Sequence, residues 1–181
     1  MHMKCSSVCL SAILSVVTVG TDTAWAGLVG QFTVGSGTVT SYLQFEFGNT
    51  NTYLYEVLHN GGVDGSDLIS VVAAAQPGYF EFDTISYSFG DVLYEVKIGA
   101  DTNAGFGTPP DYLDYWHYWT RDVGERAWTE SFVGFSDRVH SDGSWDGWVF
   151  NSAAAPSAVP APGVIALLAL AGMRNGRSRR R

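Results

Sequence analysis

At 181 residues the chain is long enough for one hydrophobic core but too short for two. Its charge is uneven: between Gly27 and Val159 seventeen carboxylates face four cations (Lys97, Arg121, Arg126 and Arg138), a net of about −13 with histidine neutral. Such a body disfavours binding to nucleic acid or to an anionic membrane surface, because neutralising phosphates takes clustered Lys and Arg.

Residues 1–26 have the layout of a secretory signal peptide. Lys4 precedes an apolar stretch from Val8 to Val19, and Ala24-Trp25-Ala26 supplies the small-x-small site for signal peptidase, leaving Gly27 first. The apolar stretch is too short for a comfortable permanent span. Cys5 and Cys9 both lie in this segment, so the processed chain carries no cysteine, hence neither disulfides nor thiolate chemistry. A lipoprotein anchor would need a cysteine directly after the apolar stretch, and none stands there.

The globular body is expected over residues 27–152. Ser41–Phe47 and Thr52–Leu58 alternate apolar and polar residues around the turn signal Gly48-Asn49-Thr50-Asn51, which predicts a β-hairpin. Gly61-Gly62 breaks the chain. Leu68–Ala75, with Ser66 or Asp67 as N-cap and Pro77-Gly78 as stop, predicts one short helix, its partly β-branched composition leaving a strand as the alternative. Tyr79–Tyr87 and Val92–Ile98 predict strands, and the Gly-, Pro- and Asn-rich stretch Asp101–Asp111 a long loop.

The densest feature follows: Tyr112, Tyr115, Trp116, Tyr118 and Trp119, then Trp128, Phe132 and Phe135, then Trp145 and Trp148 in a closing strand. On a strand, Trp116 and Tyr118 share one face while Tyr115, His117 and Trp119 share the other, so one set belongs to the core. The rest are candidates for a stacking platform that takes a glycan or other flat ligand; the ligand-binding candidates are Tyr115, Trp116, Trp119, Trp128, Trp145 and Trp148.

No metal or catalytic signature emerges. Glu56, Asn60, Asp64 and Asp67 have calcium-loop spacing, but Leu58 occupies the third ligand position, so a polar loop before an N-capped helix is the simpler reading. His59, His117 and His140 lack zinc-ligand spacing, and Ser144 lacks the G-x-S-x-G order of a nucleophile elbow. No catalytic residue, metal or cofactor is therefore predicted, and the chain is expected not to be an enzyme.

Tyr115-Trp116-His117-Tyr118-Trp119, Trp128-Thr129-Glu130-Ser131 with Gly134, and Asp142 to Phe150 resemble the bacterial family related to the C-terminal domain of transcobalamin. That resemblance implies a small α+β domain, β-rich with one short helix and β-grasp-like, and adds a corrinoid-type small-molecule binder as the alternative function. An all-β sandwich is the alternative fold.

From Ala153 the composition changes to a small-residue and proline linker, then Pro160-Ala161-Pro162, an apolar helix over 163–173 and an arginine-rich end over 174–181. Eleven apolar residues make a helix of about 16 Å, which suits transient insertion in the inner membrane, with Arg179, Arg180 and Arg181 held on the cytoplasmic side. The order resembles the PEP-CTERM sorting signal of Gram-negative bacteria, in which an acidic residue stands where Ala161 stands here. It implies an exosortase-type membrane protease as partner and a final place at the cell surface or in the extracellular matrix. The expected function is that of an exported, non-catalytic surface or matrix protein that binds a glycan or a partner.

Overall fold

The computed structural model describes residues 27–159. The signal-peptide site at Ala24 and Ala26, and the sorting tail with Pro160, Ala161, Pro162, the helix over 163–173 and Arg179, Arg180 and Arg181, lie outside the described residues.

Strands β1 (Leu28–Gly35), β2 (Val39–Glu46) and β3 (Thr52–His59) precede helix α1 (Gly65–Ala75). Strands β4 (Phe80–Tyr87), β5 (Gly90–Ile98) and β6 (Asp101–Ala104) follow it. Then come β7 (Trp116–Arg121), the two-residue β8 (Thr129–Glu130), a 3-10 turn at Phe135–Asp137, and β9 (Trp145–Phe150). A six-stranded mixed sheet has the order β1-β3-β2-β9-β7-β8, and β4-β5-β6 form a separate antiparallel sheet. The result is a small β-rich domain with one α-helix among the described residues.

The hairpin expected from alternation is present: β2 and β3 pair antiparallel, with Phe45 opposite Tyr53 and Leu43 opposite Tyr55. These four residues face the core, as the two-residue period of a strand requires. Strand β1 carries no clean alternation in the sequence and was not expected. It runs parallel to β3 along its outer edge, with Val34 its one buried apolar residue. The chain then crosses the end of β3 to reach β2 on the other side. Gly37 makes that crossing, at φ +153° and so close to the His59 backbone that a Cβ would lie 2.0 Å from its carbonyl oxygen.

Helix α1 starts earlier than the sequence suggested. Its N-cap is Asp64 rather than Ser66 or Asp67, and the cap is reciprocal: Asp67 N–H donates to Asp64 Oδ1 at 2.9 Å and Asp64 N–H donates to Asp67 Oδ2 at 3.2 Å. Two carboxylates with calcium-loop spacing thus serve the helix terminus. Leu68, Ile69 and Val72 are wholly buried from the helix. Phe80, Leu93, Val96 and Ile98 reach the same core from the second sheet, with Phe80 edge-on to Phe45 (5.4 Å) and to Tyr55 (5.6 Å).

The long loop expected over Asp101–Asp111 begins instead with β6, which pairs on β5 from Ile98↔Asp101 to Glu95↔Ala104. Its four residues are polar or small and half-exposed, so backbone pairing rather than apolar pattern places them.

Replacing Gly37 by Ala is expected to destabilise the domain by about 2 kcal/mol or more, from the forced φ and the contact with His59. Urea unfolding of the two proteins, compared at equal m-value, measures it.

Candidate functional site

The parallel pairing of β2 with β9 and the antiparallel pairing of β9 with β7 divide the aromatic cluster between the two faces of the large sheet. Phe45, Trp148 and Tyr118 are register partners on the core face. Their rings stack in sequence, with centroids at 4.9 Å and 5.1 Å and planes within 7° and 16°. Trp116 joins this face and meets Phe45, Phe47 and Phe150 edge-on or tilted. Tyr42, Trp145 and Arg121 are register partners on the opposite face, as are Gln44, Gly147 and Trp119. The six candidate residues therefore do not form one platform. Trp116 and Trp148 belong to the core side, whereas Trp119, Trp128 and Trp145 belong to the outer face, and Tyr115 stacks on His117 at 3.8 Å.

A cleft of about 380 Å³ opens where the second sheet meets β7. Its inner wall includes Trp116, Trp148, Leu93 and Phe135, while Phe89, Phe106, Tyr112 and Phe132 line its more exposed parts. Phe132 is 89% exposed, an unusual state for a phenylalanine beside an apolar cleft. Phe89 and Phe106 flank Tyr87 in a parallel stack, at 5.1 Å and 5.7 Å. The loop carrying Phe132 is tied to the β4–β5 turn: Gly134 N–H donates to the Phe89 carbonyl at 2.6 Å, and Asp91 N–H donates to Ser136 Oγ at 2.7 Å. Phe132 belongs to the aromatic cluster seen in the sequence, without being a binding candidate there; Phe89 and Phe106 do not, although Tyr87-x-Phe89 beside a glycine turn is a readable sign of two same-face rings at a strand end.

Besides the hydroxyls of Tyr112, Tyr115 and Tyr118, the polar side chains in the cleft lining are Asp91, Glu130, Ser131 and His117. His117 is 3% exposed, and neither ring nitrogen is in hydrogen-bond geometry with a protein group. Burial pushes its pKa down, opposed by the Leu113 carbonyl and the Glu130 charge.

A second cluster matches no sequence motif, because its members Ser41, His59, His140, Ser144 and Asp146 are brought together by strand pairing and not by spacing. Ser144 Oγ lies 3.0 Å from His140 Nδ1, and His140 Nε2 lies 3.0 Å from Asp146 Oδ2. Ser41 Oγ extends the chain to Ser144 Oγ at 3.2 Å and to His59 Nε2 at 3.0 Å. Since Gly61 N–H donates to His59 Nδ1, a neutral His59 carries its proton on Nε2. With both rings neutral, donors then run one way, from His59 through Ser41, Ser144 and His140 to the Asp146 carboxylate. Asp146 also accepts from Tyr118 Oη at 2.8 Å and stands 2.8 Å from Arg138 Nε, an ion pair whose N–H is not aligned for a hydrogen bond. Burial, then the Asp146 charge and hydrogen bond, hold the Tyr118 phenol well above its ordinary pKa, so it stays a donor. The residue types are those of a nucleophile–base–acid relay, but Ser144 is 1% exposed and Asp146 fully buried, so no substrate reaches the hydroxyl in this conformation. The cluster is an internal polar brace.

On the outer face Arg121 sits in the corner between two perpendicular indoles, 4.3 Å from the Trp145 centroid and 4.7 Å from that of Trp128. Tyr42 covers Trp145 at 4.4 Å. Gly147 makes room here, since a Cβ would come within 2.6 Å of Pro156 and 3.0 Å of Trp128. The segment read as a linker lies across this face: Ser157 N–H donates to Glu46 Oε2 and Gln44 Nε2–H donates to the Ser157 carbonyl, both at 2.9 Å.

No protein-family model matches the chain, and comparison with curated proteins finds no match.

Asp146→Asn is expected to lower stability by about 1–3 kcal/mol, because Tyr118 and His140 lose a buried charged acceptor while Arg138 keeps its pair with Asp122; denaturant unfolding reads the loss. Acid should destabilise the wild type in a separate way. Burial lowers the pKa of both His59 and His117, so below about 6.5 the unfolded chain takes up protons that the folded chain refuses. Stability is thus expected to fall as the pH drops from 7 to 5, and His117→Gln to flatten that slope in thermal melts.

Proposed function

We propose that the chain is an exported, non-catalytic recognition domain that holds a saccharide unit in the aromatic cleft. Signal peptidase and an exosortase-type protease would process its two ends on the way to the cell surface or extracellular matrix of a Gram-negative bacterium. The cleft carries the reading: Phe132 is left 89% exposed beside an apolar concavity of about 380 Å³ with a few hydrogen-bonding groups in its lining. Aromatic faces stack on the C–H faces of sugars, and Asp91 and Glu130 supply acceptors for hydroxyls. The volume is near the lower end for small-molecule sites, which favours one sugar ring over a corrinoid macrocycle. Sealing of Ser144 supports the non-catalytic part, and Pro160-Ala161-Pro162 with the arginine end supports the sorting part.

The β-grasp reading of the fold has support in strand order. Within β3-β2-β9-β7, the first hairpin strand and the returning last strand lie side by side and parallel, and the helix follows the hairpin. Strand β1 and the three-stranded sheet are then additions to that frame.

Titration of the processed protein with neutral oligosaccharides, followed by tryptophan fluorescence, tests the function, since Trp116 and Trp148 line the cleft. Saturable quenching is expected. Phe132→Ala should weaken it about tenfold, as removing one stacking ring does, with no change in melting temperature because the side chain is already in water. Equal binding by the variant, or no response to any saccharide, would overturn the assignment.

A further inference from the structure

Outside the cleft, the four cations of the body are not equivalent. Lys97 pairs with Glu81 at 2.8 Å, and Arg138 pairs with Asp122 at 2.9 Å and Asp146 at 2.8 Å. Arg121 and the exposed Arg126 have neither an ion-pair partner nor a side-chain hydrogen-bond acceptor among the described residues, in a body that holds seventeen carboxylates, and of these two Arg121 is the one set into the fold. It is half-buried, and burial alone lowers its pKa, with no compensating negative charge. Yet its position is fixed by contact with Trp128 and Trp145, so much of the rotamer entropy a binding arginine would lose is already lost in the free protein. A guanidinium presents five N–H donors in one plane, and a contact on its face leaves those in-plane donors for an acceptor.

We infer that Arg121, with Trp128 and Trp145, forms a second binding site on the outer face of the large sheet, which takes a carboxylate carried on a saccharide. The planar fork matches a carboxylate in two parallel hydrogen bonds. The net charge of about −13 selects for a ligand with isolated rather than dense negative charge, because a polyanion would be repelled by the rest of the surface. Trp119 and Trp128, both half-exposed, offer apolar ring surface for a sugar beside the carboxylate. The saccharide half of this inference rests on the glycan reading of the cleft; the carboxylate half does not.

The test is an NMR titration of the processed protein that follows the tryptophan indole N–H signals, with three probes: a glucuronate-bearing oligosaccharide, its neutral glucose counterpart, and acetate. The expected result is that glucuronate shifts the Trp128 and Trp145 signals saturably, that the neutral sugar leaves those two unmoved, and that acetate shifts them more weakly. Arg121→Gln should weaken the glucuronate response at least tenfold, and Arg121→Lys, which keeps the charge without the fork, should weaken it by a smaller factor. Unmoved Trp128 and Trp145 signals in the wild type would overturn the inference, even if Arg121→Gln does not fold. A response to acetate equal to that for glucuronate would overturn its saccharide half. Shifts of Trp116 and Trp148 report the cleft separately, so either site can fail while the other stands.

Discussion

Strand β9 holds the large sheet together through its pairing on both sides, parallel to β2 and antiparallel to β7. Every residue from Trp145 to Phe150 is buried, and the strand lies between β2 and β7, joining the N-terminal hairpin to the C-terminal strand pair. Its alternation assigns the chemistry of each face: Asp146, Trp148 and Phe150 to the core, Trp145 and Gly147 to the outer face. The Phe45–Trp148–Tyr118 stack fixes the register, because a slip of one residue would exchange the two sets. A buried tryptophan of this kind is worth about 3–5 kcal/mol against alanine, a large part of the stability of a domain this size.

The polar brace reinforces the same choice. Asp146 in the core is tolerable only where His140, Tyr118 and Arg138 surround it, and those partners come from two separate stretches of chain, β7 and the Arg138–His140 segment. Any other register would leave the carboxylate unpaired or in water and its partners orphaned. The brace therefore acts through specificity more than through net stabilisation. Its sealed hydroxyl also separates residue types from function: serine, histidine and aspartate in hydrogen-bond sequence do nothing to a substrate they cannot touch.

Much of the fold was legible in the sequence where side-chain period decides structure. The hairpin and the division of Trp116 and Tyr118 from Tyr115, His117 and Trp119 follow from the period of 2, and the helix from its capping and stop residues. What was not legible depends on backbone pairing or long-range register. Strand β1 and strand β6 are edge strands with little apolar pattern, held by hydrogen bonds to β3 and β5. The helix began at Asp64 because a reciprocal aspartate cap outweighed the glycine at its first position. The candidate aromatic cluster was legible as a cluster, but its division between cleft and outer face depends on which strand lies beside β9. No local pattern encodes that neighbour. Phe132 and Phe89 matter because of where their loops meet, 43 positions apart in the sequence.

Proton–proton NOEs between aromatic rings read the register of β9 without intermediate assumptions. NOEs are expected from the Trp148 ring to both Phe45 and Tyr118, and from the Trp145 ring to Tyr42 and the Arg121 side chain. NOEs from Trp148 to Gln44 and Trp119 instead would place β9 one residue out of register and would contradict the division of the two faces on which both proposed sites rest.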